Sequence, residues 1–279
     1  MPCGKCPACL TNKKNEWVFR LNEELKVSPY SYFFTLTYRD DDLSFICSVP
    51  YKVEFPCLNK RDVQLFLKRL RKNTKVKFKY HICAEYGPKT LRPHYHGILF
   101  SQQPLDLSSI MNAWQHSDLV EKVFEPVGSR SAAGYVAKYI CKAIFLPDYL
   151  RESDRYIKPF SLSSKGLGLT YLECNSHLVE KKISQSEDFV VIDGYKQSMP
   201  RYYRYKLFTP EQRAIMSNDK ELKAFDKNNK DFQVFCDKRG FDIYDKMAYE
   251  KYKIYKRNIF ADEIRKMKKY SKYNLNDSI

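Results

Sequence analysis

Two histidines one residue apart have the spacing most suited to chemistry: His94 and His96, in the run Arg92-Pro93-His94-Tyr95-His96-Gly97-Ile98-Leu99-Phe100. With 5 histidines in 279 residues, chance supplies roughly 0.09 such pairs. On a strand, residues two apart project from the same face, so both imidazoles converge above one sheet. A short hairpin around 87–92 would set Glu85, in the preceding strand, nearly opposite His94. Two imidazoles and a carboxylate make an open three-ligand site for a divalent metal, with positions left for water or a phosphate oxygen. The plainer alternative is a pair of strand histidines satisfied by hydrogen bonds.

A second pair is Tyr135 and Tyr139, the only two of the 22 tyrosines that lie four apart. Chance alone supplies roughly 1.7 such pairs, so the spacing counts only beside the histidines. On a helix they share a face, and Lys138 and Lys142 lie within a turn of the rings. A phenol, with a pKa of about 10, is a poor nucleophile until a metal-bound phosphate and nearby cations stabilise its anion. The alternative is an amphipathic helix that packs both rings on the sheet and leaves its lysines in water.

The third motif is Cys3-x2-Cys6-x2-Cys9, expected by chance roughly 0.01 times. Thiolates at this spacing can wrap one soft metal, normally structural Zn²⁺ with a fourth ligand, for which Cys174 and His177 are the candidates. An iron–sulfur cluster also fits the thiols, and so does a metal-free reduced state. Asp40, Asp41 and Asp42 read as a solvated loop, and His81 and His116 as structural residues.

These motifs sit in a strongly basic chain. The 49 Lys and Arg against 33 Asp and Glu leave a formal charge of +16 and a pI of about 9.3, which attracts polyanions. Tyr and Phe number 22 and 18 against 9 Gly, and Lys75–Tyr80 and Arg201–Lys206 interleave rings with cations as single-stranded nucleic acid requires. An AT-rich genome would produce the same bias. A hydrophobic share of 43% excludes wholesale disorder. No apolar run approaches the roughly 18–20 residues of a membrane span. The first residues also lack the apolar core of a signal peptide, so neither a membrane location nor secretion is expected, and the thiols are expected reduced.

Elements that could position these residues follow from the pattern. Leu10–Lys26 has helical spacing of Leu10, Trp17, Leu21 and Leu25, and Ser31–Tyr38 alternates as a strand. Asn59 caps a helix through Lys72 that buries Val63, Phe66, Leu67 and Leu70. Lys77–Tyr86 and Pro93–Phe100 are paired strands, Asp106–Trp114 a short helix, Leu119–Val127 a strand, and Ser129 opens a helix to about Phe145. The order β-α-β-β-α-β predicts an α+β, ferredoxin/RRM-like antiparallel sheet with helices on one face and the other face free to bind. Three segments are expected: a Cys-rich N-terminal segment and helix over 1–30, a core over 31–146, and an aromatic, basic, partly helical extension over 147–279. In that extension Tyr195–Leu207 is aromatic and basic, and Glu250–Tyr273 reads as a charged helix.

Together the motifs resemble the HUH (histidine–hydrophobe–histidine) endonucleases that initiate rolling-circle replication. Phe34-Thr35-Leu36-Thr37-Tyr38, Pro93-His94-Tyr95-His96 and Tyr135-Val136-Ala137-Lys138-Tyr139 stand in that family's order. The opening cysteines, Trp17, Arg20 and Pro200–Leu207 further resemble replication initiators of gokushovirus-type microviruses, which are single-stranded DNA bacteriophages. The likeness covers residues 3 to about 207.

The resemblance implies an HUH endonuclease fold in the core and Mg²⁺ or Mn²⁺ held by His94, His96 and Glu85. It implies Tyr135 and Tyr139 as nucleophiles forming a 5′-phosphotyrosine, with Lys138 and then Lys142 near the phosphate. The implied substrate is a single-stranded phage origin, and the implied setting is the host bacterial cytoplasm with its replication machinery. A relaxase or transposase would share this chemistry. A non-catalytic, zinc-dependent module for single-stranded nucleic acid would use Cys3, Cys6, Cys9 and the basic aromatic surface instead. A metal hydrolase of small molecules fits the net charge poorly.

Overall fold

The structure, a computed structural model, describes residues 7–48, 53–87, 90–117, 157–192 and 194–273. The chain opens with α1 (Pro7–Val27) and β1 (Tyr30–Leu36), followed by a 3-10 turn at Asp40–Asp42. Where only irregular loop was expected, β2 (Phe45–Ser48) and β3 (Val53–Pro56) pair as a small antiparallel hairpin. Next come α2 (Lys60–Thr74), β4 (Phe78–Tyr86), β5 (Pro93–Ser101) and α3 (Leu107–Ala113). The start of α2 is set as its sequence predicts, with the Asn59 side chain accepting from the Arg61 N–H. Its buried face is Val63, Phe66, Leu67 and Leu70.

Four strands make the main sheet in the order β1-β5-β4-β6, every neighbour antiparallel, with β6 spanning Ser161–Ser163. Strand β5 fills the gap between β1 and β4, the two strands that α2 connects, which is the split β-α-β arrangement. The fold is therefore α+β, with an antiparallel sheet, as the element order predicts. The expected strand Leu119–Val127 and the expected helix from Ser129 lie outside the described residues.

Alternation along the strands gives the sheet two unlike faces. Tyr32, Phe34, Leu36, Ile82, Ala84, Tyr95 and Leu99 point to one face and pack with α2, α3 and Trp114 as the principal core. Gly97 lies under the Phe34 ring so closely that a Cβ there would stand 2.2 Å from it. The opposite face was expected to be free, but α1 covers one end of it. There Phe33, Cys83, Ile98 and Phe100 pack with Leu21 and Leu167, flanked by Trp17 and Leu25. At that end Phe33, Cys83, Ile98 and Phe100 are apolar and the polar His81 and Lys79 are engaged by Trp17 and Glu24 of α1, whereas Thr35, Glu85, His94 and His96 stand at the other end.

Polar contacts tie α1 to the segment after β6. Arg20 donates to the Leu167 carbonyl at 3.0 Å, and Glu24 accepts from the Gly168 N–H at 2.7 Å and from Lys79. The short helix α4 (Thr170–Cys174) then packs on α1, with Tyr171 edge-on to Phe19 at 5.0 Å between ring centroids. These contacts draw 157–177 into the first compact unit. The first compact unit runs to His177 and the second begins at Leu178.

The second unit follows from within α5 (Ser176–Ser184) and contains β7 (Phe189–Ile192), β8 (Tyr195–Ser198), α6 (Arg201–Leu207), α7 (Pro210–Asp237) and α8 (Lys246–Tyr273). A capping box between Thr209 and Gln212, with proline at the first helical position, starts α7. The two long helices meet through Phe235, Cys236, Ala248 and Tyr252. The β7–β8 hairpin, also absent from the sequence reading, turns through Gly194 at φ +80°.

Candidate functional site

The end of the second sheet face beyond the α1 contact gathers Thr35 from β1, Glu85 from β4, and His94 and His96 from β5. Register does the positioning: Thr35 lies opposite His96 across β1–β5, and Glu85 lies opposite His94 across β4–β5, as the hairpin spacing predicts. The carboxylate reaches diagonally, so that Glu85 Oε1 stands 3.1 Å from His96 Nε2. On its other side His96 Nδ1 is 3.0 Å from Thr35 Oγ1. All three side chains of this chain of contacts are buried.

His94 is oriented by backbone. Its Nδ1 donates to the Arg92 carbonyl at 2.8 Å, and because a carbonyl only accepts, the neutral ring keeps its lone pair on Nε2. The same carbonyl accepts the Gly87 N–H at 2.9 Å, which closes the hairpin. Gly87 leaves room for this ring, since a Cβ there would sit 3.1 Å from His94 Cε1. Arg92 also reaches away from the histidines to the Tyr38 carbonyl and the Asp40 carboxylate. The two imidazoles lie parallel within 2°, their centroids 6.2 Å apart.

Do these residues suit a divalent ion? Octahedral coordination at about 2.1 Å holds adjacent ligand atoms roughly 3.0 Å apart. The His96–Glu85 separation of 3.1 Å matches that edge. Each imidazole also has Nδ1 engaged by a protein group, the arrangement by which metal-binding histidines are oriented. His94 flanks the pair rather than closing on it, and among the described residues no three His, Cys, Asp or Glu side chains gather tightly enough to hold an ion. The donor set thus fits a metal at two ligands, with the third alongside.

Among the described residues, the others singled out by sequence stand apart from this site. Tyr135, Lys138, Tyr139 and Lys142 lie outside the described residues, as do Cys3 and Cys6. Cys9 is half-buried near the start of α1, Cys174 is an exposed thiol ending α4, and His177 is exposed. His81 is fully buried on the α1-covered face, stacked on Trp17 at 4.2 Å between centroids, with Ser163 Oγ 3.2 Å from its Nδ1. Burial, reinforced by the nearby Arg20 charge, pushes its pKa down to about 3. His116 lies beside Asp42, and the three aspartates form the 3-10 turn, in which Asp40 and Asp42 pair with Arg92 and Arg39.

Tyr95, between the two histidines, and Tyr38 are structural. Tyr38 and Tyr95 share a hydroxyl contact of 2.9 Å on the core side, and Asn59 donates its N–H to Tyr95. Burial pushes Tyr95 up to about 12 and Tyr38 higher, so neither is an anion near neutral pH.

Thr35 and Arg92 are the site residues whose roles the motif alone did not show. Alternation places Thr35 on one face of β1, but its partner lies 61 residues away, and only the β1–β5 register identifies it.

The chain was also compared with known proteins. Residues 31–144 match the family model of replication-associated protein ORF2/G2P. The replication-associated protein ORF2 of Spiroplasma virus 4 is 30% identical over 224 residues, 73% of this chain and 66% of that protein. The replication-associated protein VP4 of Bdellovibrio phage phiMH2K is 27% identical over 271 residues, 87% of this chain and 82% of that protein. The replication-associated protein ORF4 of Chlamydia phage 1 is 24% identical over 244 residues, covering 80% of this chain but only 56% of that protein. No solved structure matches. The matched span runs from β1 through both histidines to the tyrosine pair, and on these grounds the chain belongs to the replication-associated protein ORF2/G2P family.

Proposed function

We propose that the chain initiates rolling-circle replication of a phage genome by nicking single-stranded origin DNA and later rejoining the ends. The observation that carries this reading is the buried Thr35–His96–Glu85 array with His94 parallel beside it, at the end of the sheet face beyond the α1 contact and within the family match. The donor set suits Mg²⁺ or Mn²⁺ on His94, His96 and Glu85, where such an ion would polarise the scissile phosphate.

The phenolic oxygen of Tyr135 or Tyr139 attacks phosphorus. An O–P bond forms to tyrosine, the bond to the 3′ oxygen breaks, and the phenolic proton is passed on as the 3′-hydroxyl leaves. One phosphodiester replaces another, so no nucleotide cofactor is consumed. Lys138, and next to it Lys142, stabilises the phenolate and positions the phosphate. After a round of synthesis by host polymerase the second tyrosine cleaves the regenerated origin, and the free 3′-hydroxyl displaces the first linkage to release a circle. The setting is the cytoplasm of the bacterial host, and no described helix is long and apolar enough to cross a membrane.

The test is incubation of the full chain with labelled single-stranded origin oligonucleotide and Mn²⁺, read on a denaturing gel. Wild type should give a DNA-linked protein band, and the double variant Tyr135→Phe/Tyr139→Phe should give none. His96→Ala should slow nicking by about 10³-fold or more, the scale of several kcal/mol of lost charge stabilisation. An adduct persisting in the tyrosine double variant, or undiminished nicking by His96→Ala, overturns the assignment.

A further inference from the structure

We propose that the outer face of α2 binds the phosphate backbone of double-stranded DNA, at a site apart from the histidines. Charge is the first support. Residues 60–80 hold 9 Lys and Arg and a single acid, Asp62, so these 21 residues carry +8 of the chain's +16. Asp62 already accepts from the Tyr38 hydroxyl, and of the cations Lys79 pairs with Glu24. At about 100° per residue, Arg61, Lys68 and Lys72 fall within roughly 40° of one line along the helix, and all three are exposed. Val63, Phe66, Leu67 and Leu70 occupy the other side, so the ridge points directly away from the core. Lys75, which caps the helix at φ 55° and is exposed, extends the ridge to about 21 Å at 1.5 Å per residue.

A merely solvated helix face is built differently. α7, exposed along most of its length, interleaves acids with its cations and pairs Lys223 with Asp219. α2 instead sets Lys68 and Lys72 four apart, where like charges repel, and has no acid besides Asp62 to relieve them. It also opens with Lys60 and Arg61 at the positive end of its own dipole. Both choices work against the helix and suit a polyanion lying along it.

The occupant follows from what the ridge lacks. Single strands are held by rings on which bases stack. On α2 the one ring, Phe66, is buried, and the neighbouring Phe78 and Tyr80 lie beneath the Arg71 guanidinium at 5.4 and 5.6 Å. Cations alone engage phosphates, and a duplex offers about one charge per 1.7 Å of its axis, roughly 12 along this ridge. Such contacts hold a duplex without reading its sequence. α2 packs on the face of the sheet opposite Thr35, Glu85, His94 and His96, so the DNA it holds is not the strand at that site. The ridge needs neither the metal nor the tyrosines of the nicking reading, and beside that reading it would hold the duplex flanking the opened origin.

The test is binding of a short duplex of arbitrary sequence to the full chain, followed by fluorescence anisotropy in EDTA across a salt series. Without divalent ion or origin sequence, its failure is separate from failure of the nicking reading. Arg61→Gln/Lys68→Gln/Lys72→Gln should bind about 10-fold or more weakly at about 0.1 M salt and lower the log–log salt slope by about 2.7, at about 0.9 per lost phosphate contact. The charge-matched Lys223→Gln/Lys227→Gln/Lys230→Gln in α7 should keep the wild-type slope. If the α2 triple variant loses its fold, Lys68→Gln alone should still lower the slope by about 0.9. An unchanged slope in the α2 variants, or an equal fall in the α7 variant, overturns the ridge. A larger loss for a single-stranded oligonucleotide of the same length than for the duplex overturns the duplex as its occupant.

Discussion

At the scale of single residues the site is a row of donors whose orientation is set by their neighbours. Thr35 holds the His96 ring through Nδ1, so that Nε2 faces Glu85. Removing the hydroxyl while keeping the shape, as in Thr35→Val, should weaken Mn²⁺ binding by about 10–100-fold, the usual cost of losing such a partner. Thr35→Ser should restore it, and Mn²⁺ titration followed by electron paramagnetic resonance reads both. Equal affinity in Thr35→Val and wild type would remove this role from Thr35. The histidine pair itself was legible because a strand repeats every two residues, and Glu85 because a short hairpin has few registers. Thr35 was not, because strand alternation says which face a residue occupies but not which distant strand lies alongside.

At the scale of elements, the sheet is held together by the contrast between its faces. β5 is one of the two inner strands, and its one glycine, Gly97, sits between His96 and Ile98 on the face opposite the imidazoles. The Phe34 ring fills the space a side chain would take, and Phe34 is itself fully buried and cannot swing aside. Gly97→Ala should therefore destabilise the first unit by about 1–3 kcal/mol through overpacking. Adding Phe34→Leu should recover part of that loss in urea denaturation, and no recovery would place the strain elsewhere.

Periodicity exposed α1, α2, α3 and the three long strands, because each carries an apolar face over enough residues to count. The β2–β3 and β7–β8 hairpins have four-residue strands, too short for alternation to stand out, although Asp193-Gly194 is a turn signal for the second. The helix α7 had its own signal in Thr209-Pro210-Glu211-Gln212, a capping box with proline inside it. The roof that α1 forms over one end of the sheet could not be read from α1 alone. Its stripe of Trp17, Leu21 and Leu25 shows that something is covered, and the apolar Phe33, Ile98 and Phe100 show what.

At the scale of the whole molecule, one unit carries the sheet and the histidine site, while the other consists largely of two long helices. Tertiary pairing outweighs local composition in the segment after 157: Ser161–Ser163 reads as loop, yet it completes an edge of the sheet beside β4. It also brings Ser163 to His81, in the crowded space where Trp17 lies against the imidazole and Arg20 stacks on Trp17 at 4.4 Å. Such an enclosure makes the first unit sensitive to acid. An unfolded histidine takes up a proton below about pH 6.5, whereas His81 in the fold resists doing so until about pH 3. Between those values the unfolded chain binds the extra proton, so stability falls as the medium acidifies, by about 1.4 kcal/mol for each pH unit. From pH 7 to pH 5 the loss should be about 2 kcal/mol in urea midpoints, and His81→Gln should flatten that slope. A ring pinned between Trp17 and Ser163 under a helix thereby sets how far the surroundings can sour before the roof over the sheet gives way.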